Sequence, residues 1–242
     1  MRTTVVGSYP KIPNRPRPAR LRLAINRRDR GEITDEEVAA VQDEVTLEVM
    51  EEQAEAGLDI ITDGQVRWDD DQTYVMRALT GVEIGSLERY MDTNTYYRQP
   101  EIVGPVSWRE PILVRDFQFA KEKSRKPVKA IITGAYTLAA LSLDRHYGSR
   151  ENLALAIAEA LRDEIQALDA AGAEHIQVND PMIVRSKDDV RTIRRTLNSM
   201  LDGVSAETGV YSWFGDAKGL LPALLDTPAS VIGLDFVQGL DN

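Results

Sequence analysis

Ile176-Gln177-Val178-Asn179-Asp180-Pro181 is a short apolar run, entered from a long amphipathic stretch and broken by polar residues and a proline where a strand should end. A strand whose C-terminal tip turns polar is where parallel α/β proteins keep their chemistry. Immediately upstream, Ser149 is placed to cap a helix over residues 151–171, with Leu153, Ile157, Leu161, Ile165 and Leu168 along one face and Gly172 as its stop.

The same unit recurs along the chain: helix, glycine, β-branched strand, polar cluster. Thr34 caps a helix with Val38, Val41, Val45 and Val49 on one face, and Gly57 ends it. A strand predicted over residues 58–62 then closes on Asp63-Gly64-Gln65. Thr3 to Val6 predicts the first strand, ending at Gly7-Ser8-Tyr9, and residues 128–133 another, ending at Gly134-Ala135-Tyr136. The proline- and arginine-rich residues 11–30 predict an irregular surface arm. Residues 80–110, aromatic and polar without periodicity, predict a long excursion over one end of the sheet, with a strand over 102–107. Further strands are expected around Gly209–Gly215 and over 231–237, with helices over 111–124, 188–201 and through Leu221 and Leu225.

Seven strands alternating with helices predict an α/β chain of the (β/α)8 TIM-barrel type, one domain over residues 1–242, with the eighth strand missing from this sequence. No GxGxxG or GxxxxGK[ST] motif follows a strand, which counts against dinucleotide or P-loop nucleotide binding. Lys and Arg number 29 against 39 Asp and Glu, a formal charge of −10 that disfavours nucleic acid as a partner. Without a cysteine, the chain has neither disulfides nor a thiolate nucleophile or metal ligand of its own. No apolar run approaches the ~20 residues of a membrane span, so a cytoplasmic protein is expected.

Four stretches together carry a resemblance: Thr3-Thr4-Val5-Val6-Gly7-Ser8-Tyr9-Pro10, Asp59 to Gly64 with Arg67 and Asp69, Ile176 to Pro181, and Phe214-Gly215-Asp216. In this order they resemble the catalytic barrel of the cobalamin-independent methionine synthases, and most of all its short single-barrel relatives. The resemblance implies a methyltransferase acting on a thiol such as homocysteine, with a folate or corrinoid methyl donor. A corrinoid carrier protein would then be a partner, and self-association is left open. It also implies zinc, which makes the thiol a thiolate. The family's His-x-Cys ligands fall on Tyr211 and Trp213, and its Glu on Asp235, so the expected zinc loses its histidine and thiolate. The resemblance places the amino-acid ligand against Ser8, Gln65 and Asn179, where Gln65 and Asn179 stand as amides for the family's Glu and Asp.

The expected site is therefore Asp180 and Asp235 as catalytic groups, with Ser8, Gln65, Asn179, Tyr136 and Trp213 binding substrate and no metal ligand assigned. The rival is a zinc-free relative with another small-molecule activity, or a binding protein without turnover. Each residue also has a plainer reading. Asp180 would stop its strand and cap a helix, Asp63 would shape its turn, Asp216 would cap the next helix, and Trp213 would fill the space of the metal. His146, on a polar loop, and His175, at a strand's entry, are poor metal candidates.

Overall fold

A computed structural model describes residues 1–10 and 19–242, so residues 11–18 of the expected arm lie outside the described residues. The chain groups into two compact units, residues 1–67 with 116–129, and residues 68–115 with 130–242.

The first unit is helical. Helix α1 (Arg20–Asp29) occupies the part of the arm that was expected to be irregular, because Leu21, Ala24 and Ile25 share one face. Leu21 packs with Val49 and Val66, joined by Tyr9, Ile25 and Val45. Helix α2 (Asp35–Glu55) begins with a full capping box: Glu37 N–H donates to Thr34 Oγ1, and Thr34 N–H to the Glu37 carboxylate at 2.8 Å. Gly57, at φ +81°, closes it. The strands expected at 3–6 and 58–62 reduce to extended segments. Thr3 O accepts from the amides of Asp59 and Ile60, and Ile61 makes a single parallel bridge to Val128. Each lacks a long partner in register, so the β-branched residues give extension without a ladder.

The second unit holds the sheets. Between helix α3 (Thr73–Ala78) and helix α4 (Val114–Lys123), where a long excursion with a strand over 102–107 was expected, β1 (Thr80–Arg89) and β2 (Tyr96–Ser107) form an antiparallel hairpin that contains that strand. Irregularities in its register break the alternation that would have announced it in the sequence. Downstream come β3 (Lys129–Thr133), α5 (Ala135–Leu141), the two-residue β4 (Leu143–Asp144), α6 (Arg150–Ala170) and β5 (His175–Asn179). Then follow α7 (Val190–Leu201), β6 (Glu207–Tyr211), α8 (Leu221–Leu225) and β7 (Val231–Gly233).

Strand β4 joins the hairpin in the order β1-β2-β4, while β3-β5-β6-β7 form a sheet in which β5, β6 and β7 run parallel. This is an α/β fold, and neither sheet closes on itself among the described residues. The predicted helix over 151–171 is α6, with Ser149 accepting from Asn152 N–H and Leu153, Ile157, Leu161, Ile165 and Leu168 buried. The same helix buries Glu164, whose carboxylate accepts from Trp108 Nε1 (2.7 Å), Ile112 N (2.8 Å) and Leu113 N (2.7 Å). Three donors compensate that buried charge.

Candidate functional site

The tips of β5 and β6 end side by side: Asn179 pairs with Tyr211 in register, and Asp180 N–H donates to Tyr211 O at 2.8 Å. The sequence beyond each strand then turns polar or aromatic, so Asn179 and Asp180 lie on neighbouring tips with Ser212, Trp213 and Phe214. Asn179 is buried, its Oδ1 accepting from Gln177 Nε2 at 2.6 Å and its carbonyl from Gly134 N–H at 2.8 Å.

Asp180 is fully buried. Its Oδ1 accepts from both the backbone amide (2.8 Å) and the hydroxyl (2.5 Å) of Thr137, in the first turn of α5. Its Oδ2 has no hydrogen-bond partner among the described residues. Burial pushes this carboxyl up to about 7, although the Thr137 donors favour the charged form. The carboxyl sits so close to Gly134 that a Cβ there would collide with it. A glycine at this turn is therefore required by the approach of a side chain, not by its backbone angles.

Sequence reasoning missed Tyr90. It follows β1, is buried, and its hydroxyl has no hydrogen-bond partner of normal geometry among the described residues. Its ring meets Tyr97 (centroids 6.4 Å apart) and Phe214 (6.5 Å) edge to face. Burial drives the phenol well above its usual value. The charges of Asp71 and Asp180 add to the rise, and the neighbouring Trp213 and Arg185 oppose it. Arg185, just beyond Asp180, is ion-paired to Asp92 at the turn of the hairpin. The only signal in the sequence was the aromatic cluster Tyr90, Tyr96 and Tyr97 inside a segment without periodicity.

Phe214 adopts a left-handed backbone at φ +64°. Asp235 holds it there: Oδ2 accepts from Phe214 N–H at 3.0 Å, while Oδ1 accepts from the amides of Val237 (2.8 Å) and Gln238 (3.0 Å). These bonds, led by the one from Gln238, keep the Asp235 carboxyl below its usual range. Tyr136 is buried in α5 and donates to Asp189 Oδ2 at 3.0 Å, at the entry to α7. Lys187 pairs with Asp216 at 2.6 Å. His175, at the entry of β5, bonds Glu207 at 3.1 Å, the strand end opposite Asn179.

Ser8 and Gln65 belong to the first unit. Ser8 is exposed, whereas Gln65 is buried at φ +51°, directly after Gly64 at φ +68°, with its amide held by Asp63 Oδ1 at 2.9 Å. Two successive left-handed residues, one of them not glycine, mark stored backbone strain at a turn that carries polar groups.

The donor chemistry here does not fit zinc. The chain has no cysteine, and Tyr211 and Trp213 offer neither imidazole nor thiolate. Both Asp235 oxygens are engaged by backbone amides. Among the described residues no group of three or more His, Cys, Asp or Glu side chains is placed to hold a metal ion.

Fold and site together define an α/β protein whose polar and aromatic groups gather at the C-terminal ends of parallel strands. The chain belongs to the cobalamin-independent synthase family, whose catalytic-domain model matches residues 1–207. It is 34% identical over 223 residues to a methionine synthase of Sulfurisphaera tokodaii, covering 92% of this chain and 64% of that protein. A methionine synthase of Saccharolobus solfataricus is 33% identical over 221 residues, covering 91% and 64%. The chain thus spans about 64% of the length of these curated relatives. Among solved structures, it resembles a B12-independent methionine synthase from a Shewanella species in complex with selenomethionine. That match has a TM-score of 0.76 and 25% identity, and covers 83% of this chain and 65% of the other.

Proposed function

We propose that this chain is a methyltransferase of the methionine-synthase type, moving a methyl group from a folate or corrinoid donor to the sulfur of a small thiol such as homocysteine. The observation that carries this reading is the family match over residues 1–207, combined with a buried Asn179–Asp180 pair at a strand tip. The sheet β3-β5-β6-β7 is then part of a (β/α)8 barrel, and Ser8, Gln65, Asn179, Tyr136 and Trp213 bind substrate. A corrinoid carrier protein is the partner to test for methyl supply, with self-association as a separate question. Among the described residues no helix is long and apolar enough to cross a membrane, and a cytoplasmic location is part of the same proposal.

In this reading no step passes through zinc. Asp180, poised near neutrality, takes the proton from the thiol; sulfur forms its bond to the methyl carbon, and the donor departs with the electron pair of the broken bond. Asp235 acts indirectly, by holding the Phe214 backbone. The rival, a zinc-free relative with another activity or none, predicts no turnover with either donor.

The test is methionine formation from homocysteine with methyl-folate and methyl-corrinoid donors, in the native protein and in Asp180→Asn. Turnover lost in the variant supports the assignment. Turnover unchanged removes Asp180 from it, and none in the native protein with either donor favours the rival.

A further inference from the structure

Three aromatic rings reach one place from two parts of the second unit: Tyr90 from the end of β1, and Trp213 and Phe214 from the turn after β6. Tyr90 and Phe214 lie 6.5 Å apart at 62°, and Tyr97 backs Tyr90 at 85°, so the rings present faces in different directions. Trp213 is only partly buried and flanks the Tyr90 hydroxyl.

The charge around them is negative once Asp180, with its carboxyl near 7, has given up its proton. Asp71 and Asp180 both act on the Tyr90 phenol, and the cation on the same side, Arg185, is already ion-paired to Asp92. Two buried oxygens, Tyr90 OH with Trp213 beside it and Asp180 Oδ2, have no hydrogen-bond partner of normal geometry among the described residues. Buried groups left open in this way call for a ligand or a water. Phe214 is held in a left-handed conformation by Asp235, so its ring is kept where it is at a cost in backbone energy. Aromatic faces set at angles to one another, with carboxylates behind them and no imidazole or thiolate, suit an organic cation and not a metal ion.

We propose that this aromatic cluster takes a small methylated organic cation, with an ammonium or sulfonium centre, against the rings of Tyr90, Trp213 and Phe214. This deepens the methyl-transfer reading, resting on it only in taking the strand tips as the ligand site. Such a centre has no N–H or S–H to donate and spreads its charge over its methyl groups, which is why ring faces recognise it. The unpartnered oxygens serve the rest of the ligand.

The test is calorimetric titration of the native protein with choline, with trimethylsulfonium, with the uncharged tert-butyl isostere of choline and with zinc chloride. Cation–π contacts of this kind predict choline binding about tenfold more tightly than its isostere. Trp213→Leu, at a partly exposed position, should abolish that preference, while Tyr90→Phe keeps the ring and should retain it. Equal binding of choline and its isostere, no binding of either cation, or stoichiometric tight zinc would each overturn the proposal. Homocysteine is titrated in parallel: if it binds while choline does not, the methyl-transfer reading stands and only this inference falls.

Discussion

The Oδ1 atom of Asp180 accepts from both the amide and the hydroxyl of Thr137, so the tip of β5 is fastened to the first turn of α5 by one carboxylate oxygen. The second oxygen faces Gly134 and has no hydrogen-bond partner among the described residues. The plainer reading of Asp180, as a cap for the helix that follows it, is not what the structure shows: its side chain makes no cap bond to the turn beginning at Pro181 and is bonded instead to Thr137 of the preceding α5.

Asp180 gives the fold a pH dependence of definite sign. Its folded pKa of about 7 lies above the ordinary 3.8, so between these values the folded state holds a proton that the unfolded chain releases. Its contribution to stability is complete below about pH 4, falls as pH rises towards 7 and is flat above. Asp180→Asn should flatten that slope. Urea midpoints at pH 4.5 and 7.5, compared between native protein and variant, check it: an unchanged difference means another group is responsible.

Gly134→Ala places a methyl group against the Asp180 carboxyl while leaving an acceptable backbone, since Gly134 sits at φ −70°. The expected outcome is a loss of roughly 2 to 3 kcal/mol in stability by overpacking, with turnover reduced more strongly than in Gly148→Ala. That control residue has no atom within 4 Å of an added Cβ, although its φ of +61° brings backbone strain of its own. Chemical denaturation and the methionine-formation assay measure the two effects.

Glu164→Leu leaves Trp108 Nε1 and the amides of Ile112 and Leu113 without their acceptor. Each buried orphan costs about 1 to 3 kcal/mol, so the variant should lose at least about 3 kcal/mol, or fail to fold at 37 °C. Trp108→Phe, which removes a single donor, should lose about 1 kcal/mol, and tryptophan fluorescence during urea unfolding would separate the two.

In the first unit Arg67 is buried between Asp43, Asp116 (3.3 Å) and Thr46 (3.3 Å), with its guanidinium 5.0 Å from the centroid of the Phe119 ring. Arg67→Met takes the ion-pair partner at 3.3 Å from the buried Asp116 and should cost about 3 kcal/mol. Arg67→Lys keeps the charge, loses the planar fork and should cost about half as much. Equal melting temperatures for the two variants would contradict this account.

What could be read from the sequence was local. Ser149, Thr34, Gly57 and Gly172 mark their helix ends by cap chemistry, and the buried faces of α2 and α6 follow the helical period. The hub strand declared itself by an apolar run with a polar end. Of the hairpin only the end of β2, residues 102–107, did so; β1 and the rest of β2 did not, because the register slips between Ile84 and Leu87 and the polar and aromatic residues follow no period of two. Tyr90 joins the site only because that hairpin delivers it, a long-range pairing invisible to any window on the sequence. Helix α1 was obscured by its arginines, which sit on the solvent side of Leu21 and Ala24. Asp235 could be found by resemblance, but that both its oxygens face backbone amides is a property of the turn.

The bend at Phe214 is one that glycine would make more cheaply, and a large ring stands there instead. Phe214→Gly should relax the main chain while removing the ring that meets Tyr90 edge to face. A protein that melts later but grips its ligand less would show how much robustness the native molecule forgoes to keep a ring in place.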